Sequence, residues 1–175
     1  MEESESQAHP EKIDAPGIEN FSRIAGGNCC GGPLVGIGGA TEARAMGWLK
    51  QQGFATVINL RFAEEESVDL EGCRAAAEAV GLKYLHLPFS PKASGPVVVD
   101  AFLAAVADEA NQPVYVHCGS ATRAAALWMI ARLLEDGCQA DTASQEAKLI
   151  ARKPDNAIAY AMAFAAEHGK DSQKQ

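Results

Sequence analysis

The sequence predicts an α/β fold in which a central, mostly parallel sheet of four to five strands carries helices on both faces. Short apolar runs rich in β-branched and aromatic residues alternate with segments of helical periodicity. The run at 54–60 is almost continuously apolar, as is typical of a strand covered on both faces. Helical connections between such strands favour parallel pairing.

The first half of the chain contains three predicted strands and two predicted helices. The strands are expected at 21–24, 34–37 and 54–60. A helix over 41–52 begins with Thr41, which can cap its amino end, and stops at Gly53. A second helix, over 67–80, stops at Gly81.

The second half continues the alternation and then becomes helical. Strands are expected at 82–87 and 114–116, and helices at 97–109, 122–137, 142–151 and from 154 onward. Thr142 with Gln145 fits a capping box, and Pro154 suits the first turn of the last helix. We predict one domain over 17–168, flanked by polar, disordered tails at 1–16 and 169–175.

The loop between the strand at 114–116 and the following helix has the composition of an anion site. It starts with Cys118 and ends at Arg123, with only small residues between them. Such a loop directs backbone N–H groups inward at a helix amino end, which binds anions and favours a thiolate over a thiol. Arg123 can hold an oxyanion with two N–H groups. Cys118 and Arg123 are therefore the predicted catalytic residues.

The same loop resembles the phosphate-binding signature of the cysteine-dependent tyrosine and dual-specificity phosphatases. The closest resemblance is to the bacterial phosphatase-like domain found fused to β-lactamase-like hydrolases. That domain carries a His-Cys-x-Ser-x-Thr-Arg loop, matched by His117, Cys118, Ser120, Thr122 and Arg123. It also carries a Gly-Gly turn and a Val-Ile-Asn-Leu-Arg strand, matched by Gly38-Gly39 and by 57–61.

The resemblance covers roughly residues 20 to 150 and implies both a fold and a reaction. The fold is dual-specificity-phosphatase-like, and the reaction is hydrolysis of a phosphomonoester through a cysteinyl-phosphate. The implied substrate-binding residues are His117, Gly119, Ser120, Ala121 and Thr122.

Two departures from the phosphatase pattern leave other functions open. Four residues separate Cys118 from Arg123, whereas the phosphatase signature has five. A loop of this size is used by rhodanese-like sulfurtransferases, so a Cys118 persulfide is the alternative chemistry. The phosphatases also take a general acid from the loop after the preceding strand, but 89–95 contains no carboxylate. The nearest is Asp100, which is either the catalytic acid or a residue that stabilises the start of the next helix. A third possibility is a catalytically inactive anion-binding module.

Arg61 follows the apolar run at 54–60, at the end of a strand where α/β proteins place their sites. Its side chain either supports the anion pocket or forms an ion pair with Glu64 or Glu65.

Charge and cysteine content limit the partners. The net charge of −8 argues against nucleic acid and anionic membranes, but a local anion site still suits a small anionic substrate or a phosphorylated molecule. The odd count of five cysteines, without paired metal-ligand spacing, predicts no metal, no cofactor and a reducing compartment. The acidic amino terminus lacks an apolar run, so we expect a cytoplasmic protein without a membrane anchor.

Overall fold

The structure is a computed structural model that describes residues 10–24 and 34–169. The strands in these ranges are β1 (Glu11–Ile13), β2 (Phe21–Ile24), β3 (Val35–Gly38), β4 (Thr56–Asn59), β5 (Lys83–His86) and β6 (Val114–His117). The α-helices are α1 (Met46–Gln51), α2 (Leu70–Ala79), α3 (Pro96–Ala107), α4 (Thr122–Leu134), α5 (Ala140–Ile150) and α6 (Pro154–His168).

The strands form one sheet in the order β1-β2-β3-β6-β4-β5. The four strands from β3 to β5 in this order pair in parallel, whereas β1 and β2 add an antiparallel edge. The predicted α/β fold with a mostly parallel sheet is confirmed, although the described residues contain six strands rather than four to five. The extra strand is β1, which lies inside the segment predicted as a disordered tail and pairs with β2. Residues 1–9 and 170–175 lie outside the described residues.

Both faces of the sheet are covered, as the continuous hydrophobicity of its central strands requires. Ile58 and Val116 point to one face, where they join a core built with α3, α4, α5 and α6. Val57 and Tyr115, one position earlier on the same strands, point to the other face and pack with α1 and α2. This alternation buries every residue of β4 and β6.

Two of the predicted helix caps are wrong. Thr41 does not cap a helix; the chain passes through a 3₁₀ turn before α1, and the Thr41 hydroxyl donates to the Gly39 carbonyl at 2.9 Å. That hydroxyl also pairs with the Tyr115 hydroxyl at 2.7 Å, so Thr41 ties the Gly-Gly turn to the central strand. Thr142 is not a cap either, because α5 begins two residues earlier, after Gln139.

Other helix starts follow ordinary capping chemistry. α2 begins at Leu70 rather than 67, because the Asp69 carboxylate accepts a 2.9 Å hydrogen bond from the Gly72 amide. Pro154 occupies the first turn of α6, as predicted.

α4 is the central helix of the domain. Every residue from Ala124 to Arg132 is buried, which accounts for its apolar composition on all sides. The one charge in this stretch, on Arg132, is compensated by Glu146 through two 3.0 Å hydrogen bonds and by Asp136 through a third. Its guanidinium also lies 4.4 Å above the Trp128 ring. Within the ranges 10–24 and 34–169, none of the helices combines the length and apolar composition needed to cross a bilayer.

Candidate active site

The candidate site lies where the carboxyl ends of β3, β4 and β6 meet. Residues 118–121 leave β6 and lead directly into α4, so the loop is fixed by a buried strand on one side and a buried helix on the other. The Cys118 side chain is 1% exposed, and its amide donates to the Gly38 carbonyl at 3.2 Å. This is the edge at which parallel α/β sheets carry their binding sites.

The Gly-Gly turn after β3 holds the loop from one side. The Ala40 amide donates to the Gly119 carbonyl at 3.1 Å, and Gly39 forms an antiparallel bridge with Ser120. A methyl group on Gly39 would lie 3.0 Å from the Glu19 carbonyl and 3.1 Å from the Gly119 carbonyl. Only glycine allows this close approach of the backbones, and the backbone contacts of the turn hold the loop in place.

A second brace comes from the turn between α5 and α6. The Thr122 hydroxyl accepts a 3.1 Å hydrogen bond from the Lys153 amide and a 3.3 Å hydrogen bond from the Ser120 hydroxyl. Ser120 and Thr122, both predicted to bind substrate, therefore also stabilise the loop.

The amino end of α4 faces the loop without a side-chain cap. Ala121 precedes the helix in a left-handed conformation, with φ of 67°, and within residues 10–24 and 34–169 no side chain caps this helix start. Backbone N–H groups at an uncapped helix start carry partial positive charge and suit an anion. Binding of an anion by these groups stays a prediction.

Arg123 is held by a carboxylate that the sequence analysis did not assign to the site. Glu65 accepts hydrogen bonds from Arg123 Nη1 at 2.9 Å and from Nη2 at 2.7 Å, and the Phe89 carbonyl accepts from Nη1 at 3.2 Å. A guanidinium has five N–H groups. These contacts use both hydrogens of Nη1 and one of Nη2, which leaves Nε–H and the second Nη2–H for another acceptor.

The free part of the guanidinium is oriented toward the loop. A methyl group on Gly119 would lie 3.4 Å from Arg123 Nη2. The hydrogen bond to Glu65 raises the pKa of Arg123, and the nearby Cys118 side chain adds to this effect. The structure therefore places Cys118 and Arg123 near each other, and their catalytic roles stay a prediction.

The contacts of Glu65 with positively charged groups keep its carboxylate ionised. Burial alone would raise its pKa, but hydrogen bonds from Arg123 and from the Phe62 amide outweigh burial and lower the pKa to about 2. The carboxylate is consequently ionised at neutral pH and is unsuited to donate a proton.

Arg61 shares the same carboxylate. Its Nε lies 3.4 Å from Glu65 Oε1, and its Nη2 donates to the Glu66 carbonyl at 2.8 Å. A methyl group on Gly119 would lie 3.9 Å from Arg61 Nε, so this side chain borders the loop while it is paired. Of the two roles considered for Arg61, the structure contains the ion pair, and contact with substrate stays a prediction.

His117 is buried beneath the loop. It is 2% exposed and stacks on Tyr115 with a centroid distance of 5.6 Å. Burial lowers its pKa to about 3, assisted by the positive charges of Arg61 and Arg123, so the ring is neutral at neutral pH. His117 therefore supports the loop from below rather than offering a charge to substrate.

Asp100 stands apart from these contacts. It is exposed on α3, and among residues 10–24 and 34–169 no hydrogen bond or ion pair connects it with the Cys118 loop. Its role as a proton donor remains a prediction. The same described ranges contain no group of three or more His, Cys, Asp or Glu side chains able to hold a metal ion.

The role of Glu65 could have been inferred from topology rather than from local sequence. The sequence predicts a local ion pair of Arg61 with either Glu64 or Glu65, and the structure contains the pair with Glu65, four positions away. Its reach to Arg123 depends on β4 lying next to β6, which places the loops after these two strands side by side. A sequence signal for this pair does exist. Glu65 follows one strand and Arg123 follows the strand that lies next to it in the sheet, so an ion pair between the two loops could have been predicted once the strand order was known.

Comparison with known proteins identifies the family of this chain. Residues 36–135 match the family model described as the beta-lactamase hydrolase-like protein, phosphatase-like domain. A beta-lactamase hydrolase-like protein of Agrobacterium fabrum is 33% identical over 96 residues, which span 52% of this chain but only 21% of that protein. The whole relative is therefore much longer than the matched region.

Solved structures show the same fold at low sequence identity. TpbA of P. aeruginosa superimposes with a TM-score of 0.67 at 20% identity, over 90% of this chain and 91% of that one. TpbA was also solved in complex with pTyr. The core catalytic domain of the S. cerevisiae PP-IP phosphatase Siw14, in complex with citrate, gives a TM-score of 0.58 at 18% identity, over 86% and 79% of the two chains.

Proposed function

Because the chain belongs to the phosphatase-like domain family of beta-lactamase hydrolase-like proteins, we propose that it is a cysteine-dependent phosphatase that hydrolyses a phosphomonoester. The observation that carries this proposal is the convergence of three groups on one loop. Cys118 supplies the nucleophile, the uncapped start of α4 supplies backbone N–H groups, and Arg123 supplies two N–H groups that Glu65 and the Phe89 carbonyl leave free.

In the first step, the Cys118 thiolate attacks phosphorus and the bond between phosphorus and the ester oxygen breaks. The phosphoryl group becomes attached to sulfur, and the leaving alkoxide takes a proton from water or from an acid. The loop amides and Arg123 stabilise the equatorial oxygens, whose charge is greatest in the transition state. Since Glu65 fixes the guanidinium beforehand, this stabilisation needs little reorganisation.

In the second step, water attacks the cysteinyl-phosphate. The bond between sulfur and phosphorus breaks, inorganic phosphate leaves, and the thiolate is restored. No oxidant, reductant or metal is consumed. We also propose that the protein is cytoplasmic. This proposal is supported by the three cysteines in the described part of the chain, Cys73, Cys118 and Cys138, which are free thiols, as is usual in a reducing compartment.

The leaving group needs a proton donor. The 88–95 segment has no carboxylate, and Glu65 is ionised, so Asp100 is the acid we propose to test. If Asp100 donates the proton, Asp100→Asn should slow release of an alkyl leaving group far more than release of p-nitrophenolate, which needs no proton. An unchanged ratio of the two rates would remove Asp100 from the site.

Sulfur transfer is the second candidate, supported by the four-residue spacing between Cys118 and Arg123. In that reaction the Cys118 thiolate takes the outer sulfur of thiosulfate, sulfite leaves, and the resulting persulfide passes its sulfur to cyanide or to a thiol. The compact loop suits a persulfide, which is smaller than a phosphoryl group.

One experiment separates the candidates. p-Nitrophenyl phosphate hydrolysis is measured from pH 5 to 8 for the wild type, for Cys118→Ser and for Cys73→Ser as a matched buried-thiol control. Phosphatase activity predicts turnover that vanishes only in Cys118→Ser. Thiocyanate formation from thiosulfate and cyanide, again dependent on Cys118, would replace the phosphatase proposal with sulfur transfer. No turnover in either assay, with phosphate still binding, would indicate an anion-binding module.

A further inference from the structure

A recess of about 350 Å³ opens directly beside the Cys118 loop, on the side of Ser120. Its walls include Lys12 from β1, Asn20 from the turn before β2, and Arg152 from the turn between α5 and α6. Ser120 belongs to both the loop and the recess. Because Ser120 is two positions from Cys118, its Cα lies at most about 7 Å from that of the proposed nucleophile.

Lys12 is positioned in this recess by a small network of hydrogen bonds. Its ammonium donates to the Ile150 carbonyl at 3.2 Å and to the Asn20 side-chain oxygen, while the Asn20 amide donates to the same carbonyl at 2.9 Å. An ammonium has three N–H groups, and these contacts use two. Partial burial lowers the pKa of Lys12, whose side chain stays exposed to solvent.

Arg152 lies in a turn that is attached to the loop. The adjacent Lys153 amide donates to the Thr122 hydroxyl at 3.1 Å, so the backbone around Arg152 has a fixed relation to the loop. Arg152 itself is exposed and reaches into the recess.

The charges of the recess are unbalanced. Within residues 10–24 and 34–169, neither Lys12 nor Arg152 has a carboxylate within ion-pair distance. Glu19 is the acidic residue in the lining, so two positive charges face one negative charge in a protein whose net charge is −8. A local excess of positive charge beside an anion loop, on an otherwise acidic chain, suits a second negative group.

We propose that Lys12 and Arg152, next to Ser120, form a second anion subsite, and that the substrate is a phosphate ester carrying a second anionic group. This inference rests on the proposed phosphatase function for the reaction, but the subsite itself can be tested by binding alone. The first anion occupies the Cys118 loop, and the second lies in the recess.

The test compares a short anion with a long one. Inorganic phosphate and tripolyphosphate are titrated calorimetrically into full-length Cys118→Ser protein, which cannot turn either over, at fixed ionic strength without divalent metal. The same titrations are repeated with Lys12→Met and Arg152→Gln added singly and together. Lys50→Met, which removes a lysine bonded to the Gly81 carbonyl ahead of β5, controls for net charge.

We expect tripolyphosphate to bind at least tenfold more tightly than phosphate, and the double variant to reduce this ratio to about threefold or less. Lys50→Met should leave the ratio unchanged, and Glu19→Gln should increase it. If the variants leave the ratio of the two affinities unchanged, including the case in which both anions bind equally more weakly, the proposed subsite is wrong. Arg152→Gln alters an exposed side chain, so it keeps the test valid if Lys12→Met perturbs folding.

The two proposals fail separately. If phosphate esters are hydrolysed but the binding ratio ignores Lys12 and Arg152, the subsite is wrong and the phosphatase function stands. If no ester is hydrolysed but tripolyphosphate binds in a manner that requires both cations, the phosphatase function is wrong and the subsite stands.

Discussion

Glu65 binds Arg123 through both carboxylate oxygens, across 58 positions of sequence, at 2.9 and 2.7 Å. The pair joins the loop after β4 to the first turn of α4. It leaves one part of the guanidinium free and fixes the direction in which that part points. The carboxylate is therefore a positioning group for the arginine rather than a group that contacts substrate.

Replacing Glu65 by Gln should lower kcat/KM for p-nitrophenyl phosphate by about ten- to a hundredfold, since a misdirected guanidinium loses its alignment with the equatorial oxygens. The pH profile tests the role further: because the Glu65 pKa is about 2, removing the carboxylate should not remove an ionisation from the profile between pH 5 and 8. Glu64→Gln, an exposed neighbour, serves as the control. Loss of one limb of the profile would mean that Glu65 takes part in proton transfer.

Arg123→Lys should be almost as damaging as Arg123→Ala. Lysine keeps the charge but cannot hold Glu65 and an oxyanion together with separate parts of a planar fork. We expect each variant to lose roughly 3 kcal/mol of transition-state stabilisation, or about two orders of magnitude in kcat. Arg74→Lys, in an exposed ion pair with Glu71, should have no effect. Near wild-type activity in Arg123→Lys would contradict bidentate binding by this residue.

His117 should make the protein less stable in mild acid. Its pKa falls from 6.5 to about 3 on folding because the buried ring resists protonation. Between these two values the unfolded chain binds a proton that the folded chain does not, so the free energy of unfolding decreases as the pH falls below 6.5.

From pH 7 to pH 5 this one group should cost about 2 kcal/mol. Urea unfolding of wild type and of His117→Phe at both pH values measures the effect, and the variant should show a correspondingly smaller change. His117→Gln serves if Phe disturbs packing, and His168→Gln, which removes a histidine at the end of α6, is the control. The same pH dependence in wild type and both His117 variants would show that His117 is protonated in the folded state.

The Arg132–Glu146 pair should be important for stability and irrelevant to chemistry. Both side chains are buried, at 2% and 9% exposure. Glu146→Leu leaves the buried guanidinium with the half-buried Asp136 as its counter-charge and should cost about 3 kcal/mol. Arg132→Met combined with Glu146→Leu should recover at least half of that loss in urea unfolding. If the double variant is no more stable than Glu146→Leu alone, the cost comes from packing rather than from the incompletely compensated charge.

The sequence predicted the parts of the molecule that depend on local pattern. The parallel strands and the buried α4 follow from hydrophobic periodicity, and the loop from Cys118 to Arg123 follows from the placement of small residues between a strand and a helix. The caps were less predictable. Thr41 has the right residue type for a cap, but its hydroxyl is used by Tyr115 from a strand 74 positions away.

Contacts between distant segments account for the rest. β1 is short and polar, with the burial pattern of an exposed edge, so its pairing with β2 leaves no periodic signal. Lys12 lies on that strand, and its proximity to the loop follows only from the way β1 meets the end of α5. Neither the pairing of β1 with β2 nor the position of Lys12 near the loop can be predicted from the local sequence.

Ala121 places a non-glycine residue in a left-handed conformation at the centre of the loop, with its side chain fully buried. Such a conformation costs on the order of 1 kcal/mol relative to a relaxed backbone. The packing of one methyl group offsets part of this cost, and a larger or β-branched side chain would add to it. In a saturation mutagenesis experiment scored for abundance, this position should therefore accept glycine and little else. The left-handed conformation thus lowers the stability of the folded protein, but it sets the backbone geometry of the loop at the start of α4. Such a trade-off between stability and function is common at reactive sites.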